Sequence, residues 1–174
     1  MPSTPRVWSE PSSGLKWHDE AVALLVPKDL TDIHLKPIDP DGRAWFCSPL
    51  DDHYNLVYRF ADGIPGAQPL SLFNVRRWLN SQPMGRTLRV QQWDDRLEVA
   101  ALDGTRIKYH AVHRARTPED AAYFVLLTFD QLDWSGASVP VFWEGVDDGP
   151  VRHLTQHFIA HWHVRSLEGI LLRA

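Results

Sequence analysis

The chain has 174 residues, of which 44% are hydrophobic and 23% are charged, and its formal net charge is −4 at pH 7. These values are typical of a globular chain and exclude a disordered or fibrous one, and the length suits one compact domain. The negative balance excludes a molecule that is polycationic as a whole, as many nucleic-acid-binding domains are. The single cysteine, Cys47, excludes an intramolecular disulfide and a zinc site built from thiolates.

The cellular location is predicted from what the sequence does not contain. The N-terminus shows no basic segment followed by an apolar one, and the apolar runs are shorter than the ~20 residues that a membrane-spanning helix needs. A chain without disulfides fits a reducing compartment. We therefore expect a soluble, cytoplasmic protein of bacterial type that has no membrane partner.

The first part of the chain predicts an arm, strands and one helix. Residues 1–14 are rich in Pro, Ser and Thr without a hydrophobic period, which predicts a mobile arm before a single domain at 15–174. Residues 17–26 are compatible with a short helix or a buried strand. Residues 54–60 alternate apolar and polar side chains, which predicts a strand. Residues 71–81 begin with a Ser that can cap a helix and continue with apolar side chains at helical spacing.

Residues 87–113 give the clearest pattern, an antiparallel meander. Three strand-like runs, each with one apolar face, follow one another in this stretch. Asp94-Asp95 and Asp103-Gly104 separate the runs, and Asp-Gly is a strong signal for a two-residue hairpin turn.

The last third of the chain predicts two further helices and a strand. Residues 118–132 have helical spacing after a capping Thr117, but their β-prone side chains leave a strand open. Residues 139–143 predict a short edge strand, because they include a proline. Residues 151–164 predict a helix that docks through an apolar stripe of Val151, Leu154, Phe158 and Trp162.

Together these elements predict an α+β fold with one antiparallel sheet built around the meander. Two or three helices should cover one face of that sheet, since a helix with one apolar stripe must bury it against another element.

The eight tryptophans provide the first functional hypothesis. Trp8 in the predicted arm and Trp93 at a strand end lie where packing does not readily explain them. Because Trp and Arg dominate protein interfaces, these two residues indicate a site for another protein. The favoured hypothesis is a non-enzymatic accessory or inhibitor-like protein.

A basic stretch provides the second hypothesis. Residues 76–116 contain nine Arg or Lys against four Asp or Glu. Within them Arg106, Lys108 and His110 share one face of a predicted strand, and Arg89 lies on a neighbouring strand. Such a face can follow phosphates and stack a base, so this region is the candidate for nucleic-acid binding, with a solvated sheet face as the alternative.

A histidine stripe provides the third hypothesis, a metal-dependent enzyme or metal sensor. His153, His157 and His161 are spaced four residues apart on the last predicted helix, and two such histidines can bind one metal ion. The alternative is a row of boundary residues on a half-buried helix, because the HExxH signature is absent. The sequence shows no catalytic motif, and it indicates no cofactor apart from a divalent metal at this stripe.

Overall fold

The computed structural model describes residues 7–9, 16–18, 20–29, 45–60, 68–81, 85–145, 147–165 and 172–173. The chain divides into two compact units. One comprises Met1–Arg77 with Glu168–Ala174, and the other comprises Trp78–Leu167.

The first unit contains two small sheets. A four-stranded sheet has the order β12-β1-β2-β6 and a three-stranded sheet the order β3-β5-β4. The strands are β1 (Val7–Ser9), β2 (Lys16–His18), β3 (Glu20–Pro27), β4 (Phe46–Pro49), β5 (Tyr54–Phe60), β6 (Gln68–Pro69) and β12 (Leu172–Arg173). Helix α1 (Leu70–Asn80) follows β6 and agrees with the predicted helix at 71–81.

Three of the predictions for the N-terminal part of the chain concern these strands. Val7–Ser9 of the predicted arm pairs as β1 with β2 and β12, whereas the rest of residues 1–14 lies outside the described residues. Residues 17–26 contain strands and not a short helix. The predicted strand at 54–60 is confirmed by β5, in which Leu56 is fully buried. The assignment of an arm and one domain at 15–174 stays a prediction.

The second unit is built on a five-stranded sheet of order β11-β10-β7-β8-β9. The predicted meander is confirmed: β7 (Arg86–Trp93), β8 (Arg96–Asp103) and β9 (Arg106–Arg114) are successive antiparallel neighbours. Two-residue turns join the strands, and the first residue of each has positive φ, 46° at Asp94 and 59° at Gly104. The second turn is Gly104-Thr105 and not the predicted Asp103-Gly104, because Asp103 ends β8 opposite Arg106.

The prediction of a purely antiparallel sheet is wrong, and the fold is mixed α/β. β10 (Val141–Gly145) pairs in parallel with β7, and β11 (Trp162–Arg165) pairs in parallel with β10. β10 is therefore an internal strand and not the predicted edge. Parallel neighbours require a crossover connection, and the local sequence does not reveal that pairing. The chain passes from β7 to β10 through β8, β9 and the helix Pro118–Gln131, and from β10 to β11 through the helix Gly149–Thr155.

Two helices pack on one face of this sheet. Helix α2 (Pro118–Gln131) settles the open alternative in favour of a helix, and it begins with a capping box in which Thr117 and Asp120 exchange hydrogen bonds with each other's backbone N–H. It contributes Val125 and Phe129 to the main apolar cluster, while helix α3 (Gly149–Thr155) contributes Val151.

The predicted helix at 151–164 is wrong beyond Thr155, where α3 ends. Residues 156–158 form a turn and Trp162 lies in β11. Of the predicted docking stripe, Leu154 is 40% and Phe158 is 62% exposed, whereas Val151 is buried. Apolar residues at 158 and 162 fit a helical period, but residues 161–164 also alternate polar and apolar side chains, as a strand does. The segment forms a strand because it pairs with β10.

Candidate functional site

The three predicted metal residues do not share a helix. His153 lies in α3, His157 in the following turn and His161 just before β11, and all three are exposed. His153 Nδ1 lies 3.2 Å from Gln156 Nε2. Among the described residues, no group of three or more His, Cys, Asp or Glu side chains is arranged to hold a metal ion. The metal hypothesis therefore stays a prediction that no described geometry supports.

The segment that carries these histidines instead borders a cleft of about 530 Å³. The cleft lies between α3 and the start of β11, and its lining includes Arg152, His153, Gln156, Ile159 and Trp162. Such a volume falls in the range of sites that accept a small molecule or a few side chains.

Hydrogen bonds fix the walls of this cleft. The Trp162 indole Nε1 donates to Asp148 Oδ2 at 2.8 Å, and its ring stacks on buried Trp143 at a centroid distance of 5.5 Å. Ala160, two residues before β11, donates its backbone N–H to Gly136 O at 3.0 Å. Gly136 lies in the loop between α2 and β10. The turn after α3 is therefore anchored at both ends, and the exposed Phe158 side chain projects from an ordered backbone.

β11 forms an edge of the sheet, and no described strand pairs with its outer side. Val141 N donates to His161 O at 2.8 Å, so the odd-numbered residues of β11 direct their backbone groups toward β10. Trp162 and Val164 therefore direct N–H and C=O groups toward the outer side. Val164 is also 54% exposed.

The opposite face of β11 is cationic and aromatic. His163 stacks on Phe142 at a centroid distance of 4.9 Å, and the Arg165 guanidinium lies 4.9 Å from the centroid of the same ring. Arg89 approaches that ring to 4.1 Å. Such cation–π contacts hold the long side chains in place without neutralising their charge.

The predicted nucleic-acid face is divided by burial. Arg106 and Lys108 are exposed on β9, whereas Arg89 and His110 are only 2% and 8% exposed. A bulge between Ala101 and Leu102 shifts the register of β8 against β9 between these two pairs. The four residues therefore do not form one solvated surface, and nucleic-acid binding stays a prediction.

His110 belongs to a buried polar cluster that the sequence did not predict. Its Nε2 lies 2.9 Å from Glu98 Oε1, and Arg96 Nη2 lies 3.3 Å from Glu98 Oε2. Gln91 pairs in register with Glu98 and is fully buried. Glu144, which lies opposite Gln91 in the register of β10 and β7, accepts a hydrogen bond of 3.2 Å from the Trp78 indole. The strand period of two places Gln91, Glu98 and His110 on one face of the meander, and this pattern could have predicted the cluster.

Two side chains of β9, His113 and Tyr109, have pKa values shifted from their ordinary values. Burial lowers the pKa of His113, and the nearby His110 lowers it further. Burial also raises the pKa of Tyr109, against a smaller lowering by a side-chain hydrogen bond with Thr128. Tyr109 and His113 share a hydrogen bond of 3.3 Å between the phenol oxygen and Nε2.

The two predicted partner-binding tryptophans lie in different units. Trp8 lies in β1, opposite Trp17 and Arg173 in the strand register. Trp93 ends β7 and is half-buried. Their role in binding stays a prediction.

Comparison with known proteins identifies the fold but no family. No family model and no curated protein matches the sequence. A Bacteroides thetaiotaomicron protein with an actin-like ATPase fold and unknown function is structurally similar, with a TM-score of 0.68 and 11% identity over 82% of this chain and 64% of that one. This chain therefore spans less than two thirds of that protein's length.

A PilM-PilN type IV pilus biogenesis complex is also similar, with a TM-score of 0.50 and 11% identity over 88% of this chain and 69% of the other. At such identities the likeness concerns the fold alone. The fold is thus a mixed α/β arrangement similar to a protein with an actin-like ATPase fold. In the part of the chain that the structure describes, no helix is long and apolar enough to cross a membrane.

Proposed function

We propose that this protein recognises another protein through the outer edge of β11 and the cleft beside it. We use the name β11 surface for β11 and the segment before it. Arg152 and Trp162 line the cleft, Leu154 and Phe158 are exposed between them in the sequence, and Val164 lies on the edge strand. The observation that carries the proposal is a sheet edge with outward backbone groups and an exposed Val164 next to an anchored cleft.

The physical argument rests on hydrogen bonding and apolar area together. An edge strand offers unpaired N–H and C=O groups to an extended segment of a partner, which can add as a further strand. The exposed Phe158 ring supplies the kind of aromatic anchor that contributes most to affinity in protein interfaces. The similarity to a solved complex of two proteins supports this class of function.

The test is recovery of a partner from cell lysate by the immobilised full chain and by two variants. Phe158→Ser should lose the recovered protein, because it removes the anchor from the β11 surface. Tyr123→Ser is the matched control, since Tyr123 is 60% exposed on α2 and outside that surface. Equal recovery by both variants would contradict the proposal.

The same assay tests the tryptophans predicted from sequence. If Trp8 or Trp93 also contacts the partner, Trp8→Ala or Trp93→Ala should reduce the recovered amount. Unchanged recovery with both variants would restrict the interface to the β11 surface.

A further inference from the structure

The β11 surface lies in a stretch of one charge sign. Residues 149–165 contain no Asp or Glu. Their cationic and protonatable side chains are all exposed, and they are Arg152, His153, His157, His161, His163 and Arg165. A partner segment that docks here meets positive charge and imidazole N–H donors along its whole length.

The two acidic residues that precede this stretch are already engaged within the chain. Asp147 Oδ1 accepts a hydrogen bond of 2.9 Å from Gly149 N, and Asp148 Oδ2 accepts the 2.8 Å bond from the Trp162 indole. Their carboxylates therefore serve the start of α3 and the wall of the cleft. A third acid, Glu144, lies opposite Arg165 in the register of β10 and β11, but it is buried and accepts a hydrogen bond from the Trp78 indole.

The two faces of β11 differ in character, because successive side chains of a strand point to opposite faces. Trp162 and Val164 lie on the cleft side and are apolar. His163 and Arg165 lie on the other side, where both contact the Phe142 ring. A strand added beside β11 continues both faces, so its own side chains alternate between an apolar neighbour and one with an imidazole or guanidinium group.

We propose that the partner segment is an acidic β-strand in which Glu or Asp alternates with apolar residues, bound along the outer edge of β11. This inference rests on the proposed function and specifies its ligand. The apolar side chains contact Trp162, Val164 and the cleft, and the carboxylates face His163 and Arg165. The four residues of β11 span about 13 Å, so five or six residues of the partner suffice.

The experiment measures binding of fluorescent peptides to the full chain by anisotropy. The probe is Val-Glu-Val-Glu-Val-Glu, and the matched controls replace Glu by Lys or carry an N-methyl group on every residue. We expect the acidic peptide to bind about tenfold or more tightly than the lysine peptide, and we expect a further loss at high salt. The N-methylated peptide should not bind, because it lacks the donors that pair with an edge.

A charge-reversal variant distinguishes a specific strand site from general attraction. Arg165→Glu should weaken the acidic peptide and strengthen the lysine peptide, with an unchanged circular dichroism spectrum as the folding control. Equal binding of both peptides, or binding that survives N-methylation, would overturn the inference. Tighter binding of a single-stranded oligonucleotide, or formation of a dimer through β11, would assign the surface to nucleic acid or to a second copy and would also overturn it.

Failure of this inference is separable from failure of the proposed function. If Phe158→Ser abolishes partner recovery while no acidic peptide binds, the β11 surface is an interface with a partner of other chemistry. If Phe158→Ser retains the partner and no peptide binds, both proposals fail.

Discussion

Glu98 is the residue on which the buried polar cluster depends. Its carboxylate lies within hydrogen-bonding distance of both His110 and Arg96, and the side chains of Glu98 and His110 are fully buried. Burying a carboxylate is unfavourable without such partners, so Arg96 and His110 make the burial of Glu98 tolerable.

We predict that Glu98→Ala lowers the free energy of unfolding by about 3–5 kcal/mol, because it leaves buried cationic and polar groups without their carboxylate. The measurement is urea unfolding followed by circular dichroism. Asp103→Ala is the control, since Asp103 pairs with Arg86 at 3.9 Å with both side chains largely exposed, and it should cost less than about 1 kcal/mol. Similar losses in the two variants would contradict a stabilising role for the cluster.

His113 makes the stability of the chain depend on pH. Its ring stacks on Phe124 at 4.0 Å, and burial lowers its pKa below the ordinary value of 6.5. The unfolded chain therefore binds a proton more readily than the folded one as the pH falls through 6.5 toward the lower, folded pKa. The free energy of unfolding is therefore not reduced by His113 above this pH window, and it decreases as the pH falls through the window.

We predict that His113→Gln reduces the loss of stability between about pH 7.5 and pH 5.5, because it removes the group that titrates in this window. The urea midpoint at each pH provides the measurement. Tyr109→Phe is the comparison, since it removes the hydrogen bond to His113 but keeps the imidazole. If His113→Gln keeps the full pH dependence, the cause lies in another group.

At the scale of elements, the junction of β7 with β10 depends on a glycine. Gly145 ends β10 with φ of 133° and lies opposite Gln92 in the parallel register. A Cβ at this position would collide with the Gln92 carbonyl group. Gly104, in the turn between β8 and β9, also has positive φ, but a Cβ there would meet no atom within 4 Å.

We therefore predict that Gly145→Ala costs roughly 2–5 kcal/mol of stability, from backbone strain and steric overlap together. Gly104→Asn should cost about 1 kcal/mol or less, since Asn tolerates the left-handed region in an open turn. Both values come from urea unfolding of the full chain. A Gly145→Ala variant as stable as Gly104→Asn would show that β10 can shift away from β7.

At the scale of the whole molecule, the second unit contains a complete apolar core. The main cluster of buried residues lies between Leu88 and Ile159, within the unit Trp78–Leu167. All five strands of the sheet belong to the same unit. This cluster and the sheet therefore lie in about half of the chain.

We predict that a fragment of residues 78–167 folds cooperatively, because it retains the sheet and both packing helices. Circular dichroism during urea titration is the measurement. A fragment of residues 78–145 is the control, since it lacks β11 and the buried Val151 and Ile159. A noncooperative transition in the longer fragment would show that the sheet requires the rest of the chain.

Local signals in the sequence predict two elements of the second unit. The meander at 87–113 follows from period-2 alternation and two turns with positive φ. Helix α2 follows from a capping Thr117 and helical spacing, although β-prone side chains left its type open. These signals suffice because a hairpin and a capped helix form hydrogen bonds between residues close in sequence.

The tertiary structure alone decided which elements meet and which side chains are buried. β10 pairs in parallel with β7 of the meander, and β11 pairs in parallel with β10. Because of this second pairing, the end of the predicted last helix is a strand. His153 therefore lines a cleft, His157 lies in a turn and His161 precedes an edge strand. Arg89 and His110 are buried and do not form a basic surface. Parallel pairing and burial depend on contacts between residues far apart in sequence, and periodicity within a segment carries no information about them.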